Sequence, residues 1–167
     1  MKHIKTILLV NGIILMSFIT NAQVQLDKMK SVFIYNFAKN TEWPSNYKTG
    51  NFVIGILGDC GVAKELKKIE GVRSIGSQTI KIKVYSTPTE IGRCHILYIP
   101  QNSSKMFTQA LSKVGSTLVV TDKPDLVNSG AGISFVIQGS KLRFKLNNTN
   151  IEKRKLEVSK ALEDLSL

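Results

Sequence analysis

Ser31-Val32-Phe33-Ile34-Tyr35-Asn36-Phe37-Ala38-Lys39-Asn40-Thr41-Glu42-Trp43-Pro44 is the stretch around which the chain is organised. Leu26, Met29, Phe33 and Phe37 recur at helical spacing, which predicts a helix starting near Asp27 whose bulky apolar stripe a core must cover. Tyr35 falls on the opposite side. Pro44 ends the helix, because a residue preceding proline is pushed out of the α region, and Trp43 is left as a large anchor where the chain turns.

Upstream of this helix, Lys2 and Lys5 form a positive n-region and Ile7 to Ile19 a short apolar run broken by Asn11 and Gly12. Thr20-Asn21-Ala22 then ends on a small residue before Gln23. This is the pattern of an export leader cleaved after Ala22. The run falls short of the ~20 apolar residues that a spanning helix needs. Removing 22 of the 167 residues leaves 145, enough for one domain with a substantial core. Two of the 23 basic residues and none of the 12 acidic ones lie in the leader, so 21 bases face 12 acids, a net charge of +9. No recognition motif or aromatic platform accompanies the lysines, which argues against nucleic acid as a partner. The charge instead suits solubility and attraction to anionic membrane surfaces or acidic proteins. No later segment is apolar enough to cross a bilayer, so the exported chain reads as soluble.

Downstream, Phe52 to Leu57 reads as a buried strand entering the turn Gly58-Asp59-Cys60-Gly61, and Val62 to Ile69 as a short amphipathic helix stopped by Gly71. Thr79 to Tyr85 alternates, with Ile80, Ile82 and Val84 on one side and Lys81 and Lys83 on the other, which suits a strand near a sheet edge. Cys94 to Ile99 and Thr117 to Thr121 are nearly all-apolar strands, separated by a helix of about Lys105 to Val114. Strands alternating with helices imply a parallel sheet covered on both faces.

The ending departs from that rhythm. Gly132 to Gln138 and Lys141 to Asn147 flank Gly139-Ser140, a two-residue loop with glycine first that suits a type II′ hairpin. Placing Gln138 opposite Lys141 pairs Ile137 with Leu142, Phe135 with Phe144 and Ile133 with Leu146, all on one face. Lys141, Arg143 and Lys145 then share the other, and a one-residue slip would bury three cations. Thr149-Asn150-Ile151-Glu152 fits a capping box, so a closing helix starts near Asn150 with Ile151, Val158, Ala161, Leu162 and Leu165 inward and Lys153, Arg154 and Lys155 in water. No internal repeat or domain-separating linker occurs. The fold expected is a single three-layer α/β domain with a mostly parallel central sheet, a C-terminal antiparallel hairpin and a closing C-terminal helix.

Chemistry is sparsely represented. His95 is the one histidine beyond the leader and sits in an apolar strand, the setting of a structural histidine. Neither CxxC, HExxH, a calcium loop, a GxSxG elbow nor a dinucleotide fingerprint is present, so no metal or cofactor is expected. Cys60 and His95 are a nucleophile and base in principle. With parallel strands, however, they lie at opposite ends, roughly 17 to 20 Å apart at ~3.3 Å per residue. The same geometry disfavours a Cys60–Cys94 disulfide, although an exported chain with two cysteines invites one. The turns carrying Asp59 and Cys60, Asn102 and Ser103, and Asp122 gather at the carboxyl edge of the sheet, where ligands bind in open α/β folds. Small polar residues are also what any strand-to-helix turn requires.

Several segments resemble, in order, the YfiR-like family (DUF4154) of periplasmic regulatory proteins of Gram-negative bacteria: Phe33-Ile34-Tyr35-Asn36-Phe37-Ala38-Lys39 with Glu42-Trp43-Pro44, Ile56-Leu57-Gly58-Asp59, Cys94-His95-Ile96-Leu97-Tyr98-Ile99, Leu118-Val119-Val120-Thr121-Asp122, Gly132-Ile133-Ser134-Phe135-Val136, Leu142-Arg143-Phe144-Lys145-Leu146-Asn147 and Val158-Ser159-Lys160-Ala161-Leu162. The resemblance implies a non-enzymatic periplasmic module, alone or as a homodimer. It would bind and restrain a membrane signalling protein, typically the exported part of a diguanylate cyclase involved in cyclic-di-GMP signalling, or feed a sensor kinase. Similar proteins can carry a first-strand cysteine facing the position of Cys94; here that place is Gly55, and a second family cysteine pair is missing too, so redox control is not implied. Candidate contact residues are Tyr35, the Lys141/Arg143/Lys145 stripe and the polar turn residues Asp59, Cys60, Asn102, Ser103 and Asp122. The alternative is a periplasmic small-ligand binder using the crevice at the carboxyl ends of the strands, and a small-molecule effector is compatible with either reading. A hydrolase is the weakest reading, since no nucleophile with a nearby base can be assembled.

Overall fold

The structure, a computed structural model, describes residues 22–167. The leader read in residues 1–22 lies, apart from Ala22, outside them. Residues 22–39 are helical (α1) and are followed by β1 (Thr41–Glu42), β2 (Phe52–Leu57) and α2 (Gly61–Lys67). Next come β3 (Ser74–Ile75), β4 (Gln78–Tyr85), β5 (Ile96–Ile99), α3 (Phe107–Leu111) and β6 (Leu118–Thr121). The chain ends with β7 (Ile133–Gln138), β8 (Lys141–Leu146), α4 (Asn148–Glu152), β9 (Glu157–Val158) and α5 (Lys160–Asp164).

Seven strands form one sheet in the order β3-β4-β2-β5-β6-β7-β8, in which β4, β2, β5, β6 and β7 run parallel. β3 and β8 flank them as antiparallel edges. The alternating strand thus lies one place in from an edge, as its lysines suggest. Its open side is further covered where Glu70 accepts the Ile82 N–H at 3.1 Å. The hairpin has the expected register, Gln138 opposite Lys141 through Ile133 opposite Leu146. Gly139 has φ +61, and Lys155 is the one non-glycine residue with positive φ among the described residues, so Ser140 stays on the negative side, as a type II′ loop requires.

Both faces of the sheet are covered, giving three layers. One apolar cluster joins Ile34, Phe37 and Ala38 of α1 and Val62 and Leu66 of α2 to the β2, β5, β6, β7 and β8 side chains on that face. The other joins Leu57, Leu97, Ile99 and Val119 to Phe107 and Ala110 of α3. Four rings, Phe33, Phe37, Phe135 and Phe144, fasten α1 to the hairpin, the closest pair being Phe37 and Phe144 at 5.0 Å.

α1 departs from its sequence reading in phase and length. Its buried face is Asp27, Lys30, Ser31, Ile34, Phe37 and Ala38, while Met29 is exposed and Tyr35 half-buried rather than turned to solvent. The stripe expected from bulky residues is therefore turned by about one position, ~100°. Three polar residues on the buried face concealed its phase. The helix also stops at residue 39, before Pro44 can act. Thr41 leaves to pair with Val158, its hydroxyl donating to the Phe37 carbonyl at 2.8 Å, and Ser159 N–H donates to the Asn40 carbonyl.

The closing helix is two short helices. Asn147, not Thr149, caps α4, its side chain accepting the Asn150 N–H at 3.0 Å. The chain then turns at Lys155 so that Leu156 is buried and β9 can meet β1; Ser159 caps α5. Ala161 and Leu165 are exposed, against their expected inward placing. The helix read over Lys105 to Val114 is a 3-10 segment, Gln101–Met106, followed by the single α-turn of α3.

Candidate functional site

The strand order reverses direction between β2 and β5, since β4 lies on one side of β2 and β5 on the other. In open α/β sheets the carboxyl ends of such a strand pair frame the ligand crevice. Here Asp59 and Cys60 follow β2, Asn102 and Ser103 follow β5, and Asp122 follows β6, so five of the nine expected contact residues share one edge. Tyr35 lies on the flank of α1 with the Lys39 ammonium 5.8 Å from its ring centre. Lys141, Arg143 and Lys145 share the other face of β8, the first and last exposed and Arg143 half-buried.

The edge is packed closed by α1. Asp27 presses on the start of α2 so closely that a Cβ on Gly61 would lie 1.9 Å from its Oδ2, so any side chain there would displace the Asp27 carboxylate. Gly58 has φ +92, and a Cβ on it would lie 2.4 Å from the Ser103 hydroxyl. Lys30 Nζ lies 2.9 Å from Asp122 Oδ2, with both side chains about nine-tenths buried, and the Tyr98 hydroxyl donates to the same oxygen at 2.7 Å. Asp122 Oδ1 is buried without a protein partner among the described residues. Burial, and then the adjoining Asp122 charge, hold the Tyr98 hydroxyl above its ordinary pKa. Lys30, Asp27 and Tyr98 complete this cluster and were not singled out from sequence. The two on α1 looked like ordinary polar residues, and Tyr98 like one more member of an apolar strand.

Cys60 occupies the N-cap of α2, its carbonyl accepting the Ala63 N–H at 3.1 Å, and burial raises its thiol pKa above the ordinary value. A thiol held protonated is a poor nucleophile. His95 lies one residue before the Ile54–Ile96 pairing level and Cys60 six beyond it, so they sit at opposite ends of the strands. Both cysteines are free. Burial pushes the Cys94 thiol up to about 12. Its sulfur lies 3.4 Å from where a Cβ of Gly55 would stand, and the Tyr85 ring occupies that space at 2.7 Å. Cys94 thus faces the position where the family resemblance places a cysteine, with glycine there and an aromatic ring filling the gap. Among the described residues no group of three or more His, Cys, Asp or Glu side chains converges as a metal site would require.

His95 works at the amino edge as a structural pin. Its Nδ1 accepts the Val53 N–H at 3.0 Å, so its Nε2–H donates to the Tyr47 carbonyl at 2.8 Å. Phe52 stacks on it at 4.3 Å and Trp43 donates to its carbonyl at 3.2 Å. Burial lowers its pKa below 6.5. Between the folded and unfolded values the unfolded chain binds the proton and the folded chain does not. Stability is therefore full above about pH 6.5 and declines as the pH falls below it, until the folded-state value is reached. Melting temperatures between about pH 8 and pH 5 are expected to fall accordingly. His95→Gln, which keeps one donor and one acceptor, should flatten that fall; an unchanged slope in the variant would assign it to carboxylates instead.

Two surface features adjoin the closed edge. A cavity of about 320 Å³ is lined by Lys30, Asp122, Pro124, Phe135, Ile137 and Leu142, apolar except for the ion pair. On the outward side of α1, a groove of about 360 Å³ exposes Met29 and Val32 beside Phe33, with Gln25, Lys28 and Asn36 as its polar rim. A family model described as DUF4154, YfiR/HmsC-like, matches residues 27–166, which takes in α1 from Asp27 onward, the whole sheet and α5. No curated protein matches the chain.

Proposed function

Since the chain belongs to the YfiR/HmsC-like family, we propose that it is a periplasmic regulatory protein that binds and restrains a membrane signalling partner, such as the exported portion of a diguanylate cyclase or a sensor kinase. Residues 1–22 serve as its cleaved leader and residues 23–167 as one regulatory domain. The match over residues 27–166 carries the reading. Three further observations support it. The polar groups at the carboxyl edge are engaged with one another under α1, an arrangement that fixes a helix rather than activates a substrate. No helix among the described residues is long and apolar enough to cross a membrane. The outer side of α1 offers exposed Met29 and Val32, and β8 offers Lys141 and Lys145, an apolar patch and a basic stripe of the kinds that protein interfaces use.

The expected consequence is cellular. Deleting the gene raises the activity of the restrained enzyme, read for a cyclase as a several-fold rise in cyclic di-GMP, and re-expression lowers it again. Complementation by a variant lacking residues 1–22 fails, because the protein stays in the cytoplasm. A cyclic-di-GMP pool and a kinase output both indifferent to deletion count against restraint. A second reading, a small-ligand binder, draws on the cavity above Lys30 and Asp122. Its walls suit an apolar molecule, and saturable thermal stabilisation by such a compound, lost in Phe135→Ala, is its signature.

A further inference from the structure

The amino edge of the sheet, away from the cluster under α1, carries a concentration of positive charge that the proposed regulation does not use. Arg154 is half-buried where α4 gives way to the turn before β9, and its Nη1 donates to the carbonyls of Val114 at 3.2 Å and Gly115 at 3.1 Å. Those two bonds fix the guanidinium and leave its Nη2 and Nε hydrogens without a protein acceptor among the described residues. No carboxylate lies within ion-pair distance of Arg154, Lys153 or Lys155 among the described residues, whereas Lys48, Lys68 and Lys81 each pair with one and Lys160 with two. Arginine keeps its charge when buried, so a partly desolvated guanidinium without a counter-ion is an open demand for an anion.

The surroundings are shaped for one. Lys153 and Arg154 form a shared wall between two open clefts, one of about 500 Å³ that includes Asn128, Ser129 and Asn150, the other of about 310 Å³ that includes Ser116 and Lys155. No acidic residue lines either. Lys155 has φ 58, a conformation that favours glycine, so a strained position is occupied by a third cation. Burial also lowers the Arg154 pKa, consistent with a cation held where water does not fully solvate it.

We propose that the clefts meeting at Lys153 and Arg154 bind a phosphate group. A phosphate, a dianion as a monoester and a monoanion as a phospholipid diester, offers several acceptor oxygens, and the free guanidinium hydrogens supply a fork for two of them with Lys153 and Lys155 as point charges. The clefts exceed a bare phosphate, so the group belongs to an ester, either a free phosphomonoester or a phospholipid headgroup. This site is separate from the partner surfaces of α1 and β8 and does not depend on them.

The test is titration calorimetry of the purified protein with glycerol 3-phosphate at low salt, with glycerol as the neutral control, alongside sedimentation with phosphatidylglycerol and phosphatidylcholine vesicles. Saturable binding of glycerol 3-phosphate, weakened at least tenfold in Arg154→Ala and by raised salt, identifies a soluble ester. Binding to phosphatidylglycerol vesicles alone, lost in the same variant, identifies a headgroup. Because Arg154 also tethers two carbonyls, Lys153→Glu is measured in parallel; its exposed side chain can change without disturbing the fold, and it too should abolish binding. Binding unchanged by Lys153→Glu, or no binding of either probe, would overturn the assignment.

Discussion

Lys30→Met is expected to lower the free energy of unfolding by about 3–5 kcal/mol, the usual effect of removing one member of a buried ion pair. Asp122 would be left with its carboxylate buried, one oxygen held by Tyr98 and the other with no protein partner. Asp122→Asn removes the opposite charge and should cost a comparable amount, because the Lys30 ammonium then has no counter-charge. Joint replacement, Lys30→Met with Asp122→Leu, is expected to recover most of the loss, since desolvating two charges offsets much of their attraction. Lys48→Met breaks a pair with Glu42 at the same 2.9 Å separation, but with side chains 58% and 73% exposed, and should cost less than about 1 kcal/mol. Urea unfolding of these variants checks the account. A Lys30→Met loss no larger than that of Lys48→Met would mean that the α1 clasp contributes little.

Phe37→Ala is expected to cost about 3–5 kcal/mol as well. The ring is fully buried and meets Phe33, Phe135 and Phe144, so truncation opens a cavity between α1 and the hairpin that neither side can close alone. Met29→Ala should change stability by no more than about 0.5 kcal/mol, because its side chain lies on the outward face. From the sequence the two looked alike, members of one apolar stripe. The contrast between them therefore measures the phase of α1 directly. Equal losses would contradict the structure, while a neutral Met29→Ala that also weakens partner binding would place the partner on the outer groove.

Some of this architecture is legible in the sequence and some is not. Hairpin register was legible because alternating side chains make a one-residue slip bury Lys141, Arg143 and Lys145, a penalty large enough to exclude it. The parallel sheet was legible from apolar runs such as Ile96–Ile99 and Leu118–Thr121 separated by helical segments. The phase of α1 was not, because Asp27, Lys30 and Ser31 occupy its buried face and are compensated by groups far away in the chain. The end of α1 and the break after α4 were hidden for a related reason. Both arise from the two-residue pairing of Thr41–Glu42 with Glu157–Val158, more than a hundred residues apart, too short to leave a periodic signal. At the carboxyl edge, proximity of Cys60, Ser103 and Asp122 followed from strand direction alone. That the edge is closed rather than open depends on contacts between distant segments, Gly58 against Ser103 and Gly61 against Asp27, which leave no pattern in the sequence.

The role proposed for the outer surface of this protein is to hold a signalling protein of the inner membrane. Its most direct test is capture from detergent-solubilised membranes on immobilised protein, comparing the wild type with a variant altered on the outer surface, Met29→Asp/Val32→Asp with Lys141→Glu/Lys145→Glu. A transmembrane cyclase or kinase is expected to be retained by the wild type and lost by the variant, whose melting temperature stays near that of the wild type. Equal retention by both, or no signalling protein retained while a purified small molecule is turned over, would contradict it.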